Sequence, residues 1–155
     1  MILSPAPNTI HQKIALKIEF ELLKFNDKES KGVLFHAPYD VVISESNVVQ
    51  PDILFVKTEN LGIITDKNIN GASDLIIEIL SPSSGYYDLV EKKKIYAEFG
   101  AKEYWIVDPK KQWLEIYLNV VGEFKLDLRL DKTGIARYQL LQGFEVKLEE
   151  IFQAE

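Results

Sequence analysis

Three side chains in this sequence have the types and placement for chemistry on a phosphodiester: Asp52, Glu78 and Lys92. Glu78 interrupts the apolar run Leu75-Ile76-Ile77-Glu78-Ile79-Leu80, which is bounded by Asn70-Gly71 and by Ser81-Pro82-Ser83-Ser84-Gly85. Such a run reads as a strand buried on both faces. An ionised carboxylate there is costly unless it is paired, hydrogen-bonded or bound to a metal. Asp52 follows Pro51 and opens a second strand, Ile53-Leu54-Phe55-Val56-Lys57. By alternation Asp52 shares a face with Leu54 and Val56, and Glu78 shares one with Ile76 and Leu80. If the two strands are neighbours in register, the carboxylates meet.

The lysine comes from a helix expected over residues 88–99. Advancing about 100° per residue from Leu89, Tyr96 falls near 340°, Phe99 near 280°, Ile95 near 240° and Lys92 near 300°. Lys93 and Lys94 fall near roughly 40° and 140°, toward the flank and the solvent side. Lys92 is therefore the one of three consecutive lysines centred on the apolar face, and Glu78 is the nearest acid on offer as its partner.

Two acids and a lysine suit phosphodiester hydrolysis. Hard oxygen ligands select Mg²⁺ or Mn²⁺ over zinc. Such an ion polarises the phosphate and acidifies a bound water, and a lysine beside it orients that water and offsets developing charge. The same trio also has a purely structural reading, because a buried Glu–Lys pair can stabilise a core and an aspartate after proline commonly begins a strand.

The elements that would position these residues are legible from periodicity. Ile10, Ile14, Ile18, Leu22 and Phe25 recur at helical spacing, with Leu16, Phe20 and Leu23 beside them. They predict an amphipathic helix over residues 9–25, capped by Asn8 or Thr9 and followed by a polar turn. Strands are expected at 33–37, 41–43, 53–57 and 75–80. The helix at 88–99 ends at Gly100, and a strand follows at 103–107. The turn Asp108-Pro109-Lys110-Lys111 leads to its hairpin partner at 113–118. A last strand pair is expected from 124–130 and 135–141, before a closing segment at Ile151-Phe152. This order predicts a mixed α/β sheet packed by helices. The unit from Leu75 to Val107 fits a right-handed parallel crossover.

At 155 residues the chain fits one domain, 1–155, with a proper core. Hydrophobic residues at 46% and charged residues at 27% are ordinary for a globular protein. There is no apolar run of membrane-spanning length and no signal-peptide pattern. Cysteine is absent, which removes disulfides, thiolate nucleophiles and cysteine-ligated zinc. A cytoplasmic, soluble protein without a membrane partner is the expectation. The net charge of −6 argues against a general nucleic-acid coat, although an enzyme acting on phosphates can concentrate its cations locally. Here the clusters are Lys92-Lys93-Lys94 and Lys110-Lys111.

Several segments together resemble the Uma-type family of putative restriction endonucleases. They are Asn47-Val48-Val49-Gln50-Pro51-Asp52-Ile53-Leu54-Phe55-Val56, the run from Asp74 to Ser81, Asp88-Leu89-Val90-Glu91-Lys92 on to Tyr96, and Glu103-Tyr104-Trp105-Ile106-Val107-Asp108-Pro109. The resemblance runs from the first helix to Gly143-Phe144 and implies the PD-(D/E)XK nuclease-like fold, a restriction-endonuclease-like mixed β-sheet flanked by helices with additional antiparallel strands. The general pattern of that fold puts a lysine two positions after the second acid, where this chain has Leu80. In the Uma-type family the resemblance implies a lysine moved to the following helix, and Lys92 stands at the matching position. Carried over, Asp52 and Glu78 would hold Mg²⁺ or Mn²⁺ with the backbone carbonyl of Ile79, and Lys92 would assist the water.

Other residues are set aside. His11 and His36 lack a zinc-ligand spacing; His11 remains a candidate contact to the site. Ser81, Ser83 and Ser84 suit turns and capping better than nucleophilic catalysis. Asp88 suits a helix start, and Tyr104, Trp105 and Trp113 suit packing or a subunit interface. Two functions follow: a metal-dependent endonuclease with DNA as substrate, in which a homodimer would let two-fold symmetry cut both strands, or a non-catalytic module of the same fold that binds a protein or nucleic-acid partner.

Overall fold

The computed structural model describes residues 9–81, 85–137 and 142–152. A six-stranded mixed sheet carries the architecture. Its strands are β1 (Gly32–His36), β4 (Ile53–Lys57), β6 (Leu75–Ile79), β7 (Glu103–Asp108), β8 (Trp113–Val120) and β9 (Glu123–Asp131), in that spatial order. All neighbours are antiparallel except β6 and β7, which run parallel. The helix α2 (Tyr86–Glu98) makes the crossover between them. A smaller sheet of β3 (Asn47–Val49), β2 (Val41–Ser44) and β5 (Ile69–Asn70) lies beside it. β10 (Ile135–Arg137) pairs with β11 (Glu145–Lys147).

Alternation along the central strands makes two cores. Ile53, Phe55, Leu75, Ile77, Ile79 and Trp105 point to one face, where Ile14, Ile18 and Leu22 of α1 (Thr9–Glu29) and Ile151 of α3 (Leu148–Phe152) cover them. Leu54, Val56, Ile76, Tyr104 and Ile106 point to the other face, under Leu89, Tyr96 and Ala97 of α2. A sheet covered on both faces explains why β4, β6 and β7 read as continuous apolar runs. Among the described residues, no helix is long and apolar enough to cross a membrane.

The structure departs from the sequence expectations in several places. α1 continues to Glu29, because Asp27-Lys28-Glu29 sustain a helix that Asn26 then closes, its side chain bonding to Lys31 and Gly32. Leu16, Phe20 and Leu23 lie on its exposed side. β9 pairs with β8 and not with the strand after it. The two are joined by Val121-Gly122, both at positive φ, a turn for which valine is an unusual signal. β10 turns instead to β11; positions 138–141, also expected in that strand, lie outside the described residues. The short strands β3, β5 and β11 and a 3-10 turn at Thr58–Ile63 had no distinct sequence pattern.

Candidate active site

The register of β4 and β6 settles how the carboxylates relate. Ile53 pairs with Ile77 and Leu54 with Ile76, so extending the ladder by one pair sets Asp52 opposite Glu78. The two strands are neighbours, as the alternation argument required. Asp52 lies at the bend just before β4, held by its own carbonyl, which accepts the N–H of Ala37 at 3.0 Å. Its side chain crosses to β6, where Oδ2 accepts the backbone N–H of Ile79 at 2.8 Å. The same oxygen lies 3.3 Å from His11 Nε2, at the start of α1.

Glu78 is buried, with only 6% of its side chain exposed, and Oε1 has no hydrogen-bond partner among the described residues. Burial first, and then the charge of Asp52, push its carboxyl up to about 8; Lys92 pulls weakly the other way. Lys92 Nζ stands 3.9 Å from Oε2. That contact is long and 39% of the lysine side chain is exposed, so the attraction does not offset desolvation. Burial thus favours the protonated form of Glu78 in the absence of a cation, and the contact with Lys92 is a weak one.

Beneath Glu78 lie two buried phenols. The Tyr96 hydroxyl is near enough to favour the ionised carboxylate electrostatically, yet it makes no hydrogen bond of good geometry. Burial, and next the charge of Glu78, raise the Tyr96 and Tyr104 phenols well above their ordinary value. The Tyr104 ring sits 5.6 Å from that of Tyr96. Tyr96 follows Lys92 by one helical turn, and that spacing could have flagged it from sequence.

Lys92 Nζ stands beside Glu78, but the inward face of α2 is centred on Leu89, Tyr96 and Ala97, while Phe99 is 42% exposed. Lys92 therefore lies at the edge of that face and Lys93 nearer its middle, contrary to the helical wheel. Lys93 Nζ lies over the Tyr117 ring at 3.9 Å, because α2 spans several strands and presents a wide face to the sheet. Of the residues set aside, Asp88 falls in the first turn of α2 as expected. His36 pairs with Glu19 at 3.4 Å. Together with His11, Gln12, Pro38 and Asp52 they line a cleft of about 320 Å³ that opens beside Asp52. Ser83 and Ser84 lie outside the described residues.

The donor set fits a hard cation in chemistry, with two facing carboxylates and a buried carboxylate oxygen lacking a partner. Among the described residues no cluster of three or more acidic, histidine or cysteine ligands occurs. Any ion would therefore need backbone or solvent oxygens as well.

A mixed sheet flanked by helices thus carries two facing acids on neighbouring strands. The chain belongs to the Uma2 family, described as "Putative restriction endonuclease", whose model matches residues 1–149. Among solved structures it is similar to a putative nuclease belonging to DUF820 from Anabaena variabilis. That likeness has a TM-score of 0.79 at 17% identity and covers 97% of this chain and 84% of the other. A weaker one, at TM-score 0.43 and 18% identity, covers 90% of this chain and 11% of a chain in a DrdV–DNA complex. No curated protein sequence matches the chain. The chain thus belongs to the Uma2 family and shares the fold of the solved DUF820 structure.

Proposed function

We propose that this protein is a metal-dependent endonuclease that hydrolyses DNA phosphodiester bonds. The observation that carries the reading is the convergence of three groups from separate elements: Asp52 opposite Glu78 across β4 and β6, and Lys92 of α2 at 3.9 Å from Glu78. In this reading Asp52 and Glu78 hold Mg²⁺ or Mn²⁺. The backbone carbonyl of Ile79 is a third ligand. In a ladder a residue's N–H and C=O point to the same neighbour, and the Ile79 N–H points to Asp52. The bound ion supplies charge stabilisation at the phosphate and a more acidic water.

The chain's own residues do the rest. The Ile79 amide fixes the rotamer of Asp52. Lys92 donates to the attacking water and offsets charge on the phosphorus oxygens. Tyr96 lies beside Glu78 and favours its ionised form. A homodimer is the assembly that would cut both strands of a duplex. The test is incubation of several DNA substrates with Mg²⁺ or Mn²⁺. Cleavage by the wild type that disappears in Asp52→Ala supports the reading; no cleavage above the Asp52→Ala control on any substrate counts against it.

A second reading is a non-catalytic module of the same fold in which the trio is structural. The net charge of −6 and the leucine at position 80 favour it. It expects no change in melting temperature on adding Mn²⁺.

A further inference from the structure

A second buried carboxylate lies on the same face of the sheet as Glu78, and the proposed reaction does not use it. Glu78 pairs with Ile106, Ile106 with Glu115, and Glu115 with Arg129, so the four form one row across β6, β7, β8 and β9. At the spacing of sheet strands, Glu115 is about 10 Å and Arg129 about 14 Å from Glu78. Glu115 is 4% exposed. Its Oε1 accepts the hydroxyls of Tyr86 and Tyr117, both at 3.2 Å, and its Oε2 lies 3.7 Å from an Arg129 nitrogen.

Arg129 in turn lies over the ring of Trp113, 4.7 Å from its centroid, and the ring of Tyr86 meets Trp113 edge-on at 6.2 Å. The guanidinium thus sits against the indole with one nitrogen beside a buried acid, and 57% of the side chain is exposed. Stability alone does not require this arrangement, because apolar side chains at both 115 and 129 would cover Trp113 without burying a carboxylate. A second cation, Lys93, lies over the Tyr117 ring, whose hydroxyl bonds the same Glu115.

We propose that the outer face of Arg129, seated on Trp113 and braced by Glu115, is a stacking subsite for an unpaired nucleobase of the strand that enters the Asp52–Glu78 centre. The proposal rests on the nuclease reading for its substrate. A guanidinium plane backed by an aromatic ring presents a flat, cationic surface of nucleobase size. Arg129 lies on the edge strand β9, about 14 Å across the sheet from Glu78, a separation that a strand bound at the centre spans within a few nucleotides. Stacking is indifferent to base identity, so this subsite selects for an unstacked strand and not for a sequence.

The experiment measures binding of a single-stranded oligonucleotide, without added metal, by fluorescence anisotropy. Arg129→Ala weakens binding by roughly 5- to 100-fold. Arg129→Lys restores folding and charge but recovers only part of the affinity, because the planar surface is gone. For an abasic strand of equal length, the loss in Arg129→Ala is several-fold smaller. Binding within twofold of wild type in Arg129→Ala, full recovery in Arg129→Lys, or an equal loss for the abasic strand overturns the proposal. A wild type without affinity for the oligonucleotide also overturns it, even if it hydrolyses DNA. A wild type that binds as described and never cleaves keeps the subsite and defeats the nuclease reading.

Discussion

The carboxylate of Asp52 is fixed by the backbone of the strand that carries the other acid: its Oδ2 accepts the N–H of Ile79, the residue after Glu78, at 2.8 Å. A charge-assisted bond of this kind sets distance and rotamer together. It also makes a conservative substitution informative. Asp52→Asn keeps a carbonyl oxygen for the Ile79 amide but removes the charge that raises Glu78. The melting temperature without metal is expected to stay the same or rise slightly. The rise in melting temperature caused by Mn²⁺ is expected to vanish. Differential scanning fluorimetry with and without Mn²⁺ reads both, and an undiminished metal shift would show that the Asp52 charge is not needed to bind the ion.

Glu78 predicts a pH dependence of stability with a definite sign. Its carboxyl moves from an ordinary 4.5 to about 8 on folding, mainly through burial. The native state therefore keeps a proton that the unfolded chain has lost. The stability this group contributes is fully present below pH 4.5 and is lost as pH rises through 8. Its size at the extremes is on the order of a few kcal/mol. Glu78→Gln has no such proton. Urea unfolding at pH 5, 7 and 9 without metal should show wild type losing stability relative to Glu78→Gln as pH rises. A constant difference across the series would contradict the shift.

The same proton competes with a cation. Below pH 8 a metal must displace it, so apparent Mn²⁺ affinity should weaken by about tenfold per pH unit. Above pH 8 the dependence should level off. Isothermal titration calorimetry in buffers of different ionisation enthalpy would also count the proton released. An affinity independent of pH between 6 and 9 would mean that Glu78 does not ligate.

How much of this was legible follows from where each signal comes from. Asp52, Glu78 and Lys92 could be brought together on paper because strand and helix periods fix which side chains share a face, and β4, β6 and α2 keep those periods without bulges. The position of His11 against Asp52 depends on how α1 docks on the sheet, which no local pattern encodes. Lys93 was misplaced because a wheel treats the partner surface as one line, whereas Tyr117 on β8 extends it sideways. The pairing of β9 escaped because its turn uses Val121-Gly122 where Asn-Gly would have announced a hairpin. Glu115 and Arg129 sit in ordinary alternating strands, and only the cross-strand register reveals that they share a row with Glu78.

Asp74 separates the demands of the fold from those of the site. It precedes β6 at the end away from Glu78 and is 4% exposed. Its Oδ2 accepts the N–H of Lys57 at 2.7 Å and its Oδ1 accepts Asn60 Nδ2 at 2.8 Å. Asp74→Ala removes both acceptors and is expected to cost about 1–3 kcal/mol in urea unfolding. Mn²⁺ affinity of the protein that remains folded should not change. Loss of metal binding in parallel with stability would show that the centre depends on the whole β4–β6 ladder and not on its own end of it.

Lys92 offers the sharpest division between the two functional readings. Its side chain is 39% exposed and its ammonium 3.9 Å from Glu78, so the pair contributes little to folding. Lys92→Met keeps the stem that packs against the sheet and removes the charge. Stability should change by less than about 1 kcal/mol. Metal affinity should be retained, because lysine is not a ligand and its removal relieves repulsion toward a cation. If Lys92 orients the water and offsets charge in the transition state, turnover should fall by roughly 10²- to 10³-fold with the affinity for DNA nearly intact. Single-turnover cleavage under saturating Mn²⁺ separates these quantities. Cleavage at the wild-type rate in Lys92→Met would remove the lysine from the mechanism and leave Asp52 and Glu78 to act without it.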